Sequence, residues 1–249
     1  MSSNGAGPTP TDDAVAALQR RILRRVWSAP WRHLPVLAVA AAASALSLAA
    51  ALRITGGISV ATPLLAAVLC GPTLVPLSAV VQDALVHDDT ELRRYARALR
   101  RTALRSTGCS LIVGLCLSAL LAALEVHART GSSTVLLPLA LAASSSVLTL
   151  GGLLALLPLA AARPTLRGVR LWITAWHLLG RWPLRFLAPF AVGVLALWAG
   201  VALHSSLILL LPAPVALMAG AAYWCCALEL GAEDLDAGDL GPVAARTTT

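Results

Sequence analysis

The chain has 249 residues, of which 58% are hydrophobic and only 12% charged, where a soluble domain carries about 25% charge. Its formal charge of +7 comes entirely from arginine, because the sequence contains no lysine. The composition excludes a disordered chain, a coiled coil and an ordinary soluble domain. The missing lysine excludes a P-loop nucleotide site and Schiff-base chemistry.

Residues 1–10, rich in Ser, Gly and Pro, read as a disordered tail. Residues 11–33 form an amphipathic helix on the cytoplasmic side, with Leu18, Ile22 and Val26 opposite a cluster of arginines that includes Arg20, Arg21, Arg24 and Arg25. A helical crossing of the hydrocarbon core needs about 20 apolar residues. Six stretches between residues 34 and 228 qualify: 34–52, 58–81, 108–124, 134–162, 186–203 and 207–228. None contains Asp, Glu, Arg or His. The first is too long, and begins too late, for a cleaved signal peptide.

Two amphipathic segments lie between the spans. In 90–106, Arg93, Arg94, Arg97, Arg100, Arg101 and Arg105 fall within an arc of about 140°, with Leu92, Tyr95, Ala96, Leu99 and Ala103 opposite. Asp88, Asp89 and Thr90 are candidate N-caps. The segment reads as a surface helix feeding span three. In 165–182, Arg167, Arg170, Thr174, His177 and Arg181 make one polar stripe, and Trp172 and Trp176 lie away from it. Trp at headgroup depth beside Arg marks an interfacial helix. His204-Ser205-Ser206 turns the chain between spans five and six. One helix over 186–211, broken at Pro212 and Pro214, would leave 215–228, which is too short to span. Residues 229–249 are an acidic cytoplasmic tail carrying Glu229, Glu233, Asp234, Asp236 and Asp239. The expected fold is all-α, a six-span bundle with amphipathic cytoplasmic helices.

Arginine sets the orientation. The N-terminal segment, the loop after span two and the loop after span four hold nearly all of it, and only Arg53 and Arg129 fall on the other side. The positive-inside rule then puts both termini in the cytoplasm of a bacterial cell membrane. The same clustering explains the net charge without nucleic acid. The basic rim, through Arg93, Arg97, Arg100, Arg101, Arg167, Arg170 and Arg181, suits an acidic partner or anionic lipid. It also suits plain topogenic anchoring.

Inside the membrane the residues offer little chemistry. Cys70, Cys109, Cys116, Cys225 and Cys226 sit in apolar runs without metal spacing. The five histidines fall near span ends or in loops. No H-E-x-x-H or G-x-S-x-G occurs, so no catalytic residue, metal or cofactor is expected. Ion-coupled transporters carry charged groups in their spans, and these spans have none. Gly71, Pro72 and Pro76 mark a helix break in span two. Such breaks line binding sites in some transporters and are simple kinks elsewhere. Small residues, among them Ala40–Ala45, serve either packing within the chain or a homodimer.

Three stretches resemble the YesL-like family of small bacterial integral membrane proteins, whose domain has no established function. They are Gly71-Pro72-Thr73, then Arg93-Arg94-Tyr95 through Leu99-Arg100-Arg101, and finally Pro158-Leu159-Ala160-Ala161-Ala162-Arg163 leading to Ala175 and Arg181-Trp182-Pro183-Leu184-Arg185. The likeness covers roughly residues 30–205. Family members are often encoded beside carbohydrate ABC transporters, so the resemblance implies an accessory role near sugar uptake, with a transporter permease as partner. The expectation is a non-enzymatic accessory protein. The alternative is a small permease for an uncharged solute, using span two with Thr73, Ser78, Ser144 and Ser145.

Overall fold

The computed structural model describes residues 12–87, 90–202 and 212–230; the expected tail at 1–10 and nearly all of the acidic tail lie outside them. The described residues are helical, with no strand among them. In order they form α1 (Asp12–Arg32), α2 (Leu34–Ile54), α3 (Thr62–Gln82) continued by a π-helical turn (Asp83–His87), α4 (Leu92–Thr130), α5 (Leu136–Ala162), α6 (Val169–Arg181), α7 (Pro183–Ala202) and α8 (Pro212–Glu229). Among the described residues four helices, α2 to α5, are long and apolar enough to cross a membrane, and a fifth crossing arises if α6 and α7, which meet at 100°, count as one bent span. These are the proportions of a multi-pass, membrane-embedded chain.

Local chemistry explains the ends. Pro35 and Pro63 stand in the first turns of α2 and α3, where their missing N–H groups cost nothing. Between those helices, the Ser59 N–H donates to Thr62 Oγ1 at 2.8 Å, and the Thr62 hydroxyl reaches the Gly57 carbonyl at 2.8 Å. Gly131, at φ +59, closes α4 in the left-handed conformation that glycine adopts without penalty.

The surface helix expected at 90–106 and the third span are one continuous helix, α4, of 39 residues. At 1.5 Å per residue it is about 58 Å long, nearly twice the hydrocarbon thickness of about 30 Å. Its N-cap is Glu91, in extended backbone and without a side-chain capping bond. Thr90, expected as a cap, instead bonds His33 Nδ1 through its hydroxyl at 2.9 Å. Asp88 and Asp89 lie outside the described residues.

α8 sits at the centre. It packs against α1, α2, α3, α5 and α7, and every residue from Ala219 to Leu228 is buried. A helix apolar on all faces belongs in a core, and its small residues let neighbours approach. A Cβ on Gly220 would lie 3.0 Å from Val81 Cγ1. α8 contributes Leu217 to one apolar cluster with Leu37, Leu77, Val81, Leu85 and Tyr95. It contributes Ala221 to Leu228, except Cys225, to a larger one with Leu156, Leu171, Trp172 and Phe186.

Candidate functional site

The contacts made between elements by arginine, glutamine and glutamate side chains gather at one end of the bundle. Arg25 of α1 donates to the Leu85 and Val86 carbonyls at 2.8 Å each, capping the π turn that ends α3. Gln82 donates to the Pro158 carbonyl near the end of α5 at 2.6 Å. Arg105, in the first part of α4, donates to the Pro164 carbonyl at 3.1 Å and to that of Leu166, both in the link after α5. Arg185, at the start of α7, pairs with Glu229 at the end of α8. Gln19 of α1 donates to the same carboxylate at 3.0 Å. With Thr90 held to His33, the starts of α2, α4 and α7 and the ends of α3, α5 and α8 share one end with α1.

Two kinds of arginine occupy that end. Arg25, Arg105 and Arg185 are structural, spending their N–H groups on carbonyls and on Glu229. The arginines singled out from the sequence are exposed. Arg93, Arg97, Arg100 and Arg101 on α4, Arg167 in the α5–α6 link and Arg170 on α6 make no hydrogen bond or ion pair among the described residues. Arg181 is exposed with its Cζ 4.8 Å from the Trp182 ring centroid, and Arg185 lies over the same ring at 6.0 Å, within cation–π range. On α4 the arginines surround Leu104, which is 92% exposed. Arg94, by contrast, lies 3.9 Å from the Asp83 carboxylate.

The electrostatics follow these contacts. The hydrogen bond from Arg185 holds the Glu229 carboxyl below its ordinary range, against an opposing effect of burial. The same bond raises Arg185. Burial lowers Arg105, against a lift from Cys109, and the charge of Arg167 adds to the lowering.

The chain matches no family model, no curated protein and no solved structure. Its function is therefore argued from its own residues.

Gly71, Pro72 and Pro76 do not interrupt α3, which keeps α geometry through all three. This corrects the expected break. The reason is Ser106 of α4. Its hydroxyl donates to the Gly71 carbonyl and accepts from the Val75 N–H at 3.2 Å. Those two groups are one i, i+4 rung of α3, so a side chain from α4 fills the rung that the prolines disturb. Gly71 is required for that approach: a Cβ there would stand 2.8 Å from Thr107 Cα. On the other side, Thr73 Oγ1 shares a hydrogen bond of 2.7 Å with Ser44 of α2. The segment is a polar tie between three helices.

Of the four hydroxyls considered for a solute path, three are bonded to helix partners and one is exposed. Thr73 and Ser78 are buried, and Ser78 bonds back to the Leu74 carbonyl at 3.1 Å. Ser144 is exposed on α5, and Ser145 bonds the Ala142 carbonyl at 3.0 Å. Trp172 is also placed differently from a headgroup anchor. It is buried, and with Trp176 it fills the notch at Gly152, where a Cβ would lie 2.9 Å from Trp172 and 2.6 Å from Trp176 Nε1. Among the described residues no group of three His, Cys, Asp or Glu side chains is placed to hold a metal.

Proposed function

We propose that this chain is a six-crossing protein of the bacterial cell membrane with both termini in the cytoplasm, and that it works without catalysis, as an accessory that docks an acidic partner. The observation that carries this is the first part of α4. It bears Arg93, Arg97, Arg100 and Arg101, all exposed, on the same continuous helix as the apolar run 108–124. Arg94 of the same segment lies 3.9 Å from Asp83, just past the apolar run 58–81, so these turns of α4 stand beside the C-terminal end of α3. With no hydrogen bond or ion pair among the described residues, Arg93, Arg97, Arg100 and Arg101 are open to the carboxylates of a partner protein. α7 and α8 supply the fifth and sixth crossings, with α6 on the cytoplasmic side. The YesL-like resemblance favours a carbohydrate ABC transporter permease as the partner.

The test is affinity purification of the tagged protein from its own membranes in mild detergent. Co-purification of a permease, lost when Arg97 and Arg101 are both changed to Glu, supports the proposal. A monomer that brings down no permease, or one whose retention ignores the charge reversal, refutes it.

A further inference from the structure

α1 is held against the end of the bundle by two neighbouring helices. Gln19 donates to the Cys225 carbonyl at 3.4 Å and to the Glu229 carboxylate at 3.0 Å, at the end of α8. Arg25 donates to the Leu85 and Val86 carbonyls after α3. Between them Ile22 is buried in the larger apolar cluster. α1 therefore lies across the ends of α8 and α3 with its Ile22 side turned inward.

A second apolar stripe is left outside. Leu23, Trp27 and Trp31 repeat every four residues and share one side of α1. All three are exposed, Trp27 by 82% and Trp31 by 77%. Trp31 is about two and a half turns from Ile22, on the side of α1 opposite the bundle. Apolar area of that size facing water marks an interaction surface. Arg20 and Arg24, both exposed, lie along the stripe, and Arg24 has no hydrogen bond or ion pair among the described residues. From residue 14 to residue 32 the chain carries five arginines and no Asp or Glu.

The acidic tail supplies the complement. The chain leaves the bundle at Leu230, whose N–H bonds the Cys226 carbonyl at 3.1 Å and whose side chain packs against the core. Glu229, one residue earlier, is the carboxylate that Gln19 of α1 holds. Residues 231–249 carry Glu233, Asp234, Asp236 and Asp239 against Arg246 alone, with Leu235 and Leu240 beside the acids. Five residues of extended chain reach about 16 Å, and Trp27 is about 12 Å along α1 from Gln19. A tether that short keeps the segment at roughly millimolar effective concentration, which populates even a weak contact.

We propose that residues 233–240 dock on the Leu23, Trp27 and Trp31 side of α1 within the same chain. Leu235 meets the tryptophans, and Asp234 and Asp236 face Arg20 and Arg24. The contact uses none of the α4 arginines proposed to dock a partner, and it holds whichever side of the membrane this end faces.

The experiment uses the full-length protein in detergent with the photo-cross-linking change Trp27→p-benzoylphenylalanine. Trp27 is exposed, so an aromatic replacement leaves the packing intact. After irradiation, the products are sized on a denaturing gel and mapped by peptide mass spectrometry. The expected product joins position 27 to residues 231–249 at monomer size. Asp234→Asn combined with Asp236→Asn should lower its yield about two- to fivefold, the effect of losing an exposed ion pair. The same probe in Ile58→p-benzoylphenylalanine, exposed beyond the end of α2 away from α1, should not reach the tail. A digest without the expected product overturns the contact, whether position 27 captures lipid, a second copy or nothing. Equal capture of the tail from position 58, or a yield that ignores the two Asp changes, also overturns it.

Discussion

Replacing Gly71 with Ala tests the tie between α3 and α4. The new methyl would lie 2.8 Å from Thr107 Cα and 3.3 Å from Ser110 Cβ, where ordinary contact begins at 3.4 Å. Backbone cannot swing aside, so the helices must part by about 0.6 Å. That would move Ser106 Oγ from 3.2 Å to about 3.8 Å from the Val75 N–H, beyond bonding range. One or two hydrogen bonds at about 1 kcal/mol each are then lost, and overpacking adds roughly 1–3 kcal/mol. The higher helix propensity of Ala returns about 1 kcal/mol, so the net destabilisation is about 1–4 kcal/mol. Gly108→Ala is the control, because nothing lies within 4 Å of a Cβ there. It should be neutral or stabilising by up to about 1 kcal/mol. Unfolding by SDS titration in mixed micelles, followed by circular dichroism, compares the two. If the variants unfold within about 0.5 kcal/mol of each other, the close approach at Gly71 is wrong.

Other consequences can be measured on the same preparation. Arg25→Ala leaves the Leu85 and Val86 carbonyls uncapped; hydrogen bonds to a charged donor contribute about 1.5–3 kcal/mol, so limited proteolysis should cut α1 sooner. Glu229→Gln removes a partly exposed ion pair of modest strength, about 1 kcal/mol after solvent screening. Because Glu229 is held below its ordinary pKa by Arg185, its contribution is present above the ordinary carboxyl range and lost as pH falls through the lowered value. The variant's deficit should therefore shrink in acid, and a deficit that is constant with pH would count against the clasp. Tyr95→Phe should be neutral or slightly stabilising, since the Tyr95 hydroxyl is buried without a partner; a loss above about 1 kcal/mol would mean a bond had been missed.

Much of the helical layout was legible because apolar runs and polar stripes are local signals. The run 134–162 is nearly the same stretch as α5, and the arginines at 93, 97, 100 and 101 are on the exposed side of α4. What periodicity could not supply is partnership across the chain. Ser106 meets Gly71 and Val75 across more than thirty residues, and Arg185 meets Glu229 across 44. Nothing near either end of such a pair marks the other. The prolines of span two signalled a break because their missing N–H groups are visible in sequence, whereas the hydroxyl that repairs the rung belongs to another helix. The central position of α8 was similarly hidden. Its small residues read as one more span, and only the packing of five helices around it shows why they are small. Within the basic rim, counting arginines could not separate Arg25, Arg105 and Arg185, which cap carbonyls or a carboxylate, from those left exposed.

The proposed topology puts the arginine-bearing end of the bundle, and both chain termini, in the cytoplasm. Fusing alkaline phosphatase or a green fluorescent protein in turn after Thr249, and inserting each at Gly131, tests this in intact cells. Fluorescence without phosphatase activity is expected at Thr249, and the reverse at Gly131. An active phosphatase at Thr249 would place the arginines outside, or change the number of crossings, and would contradict it.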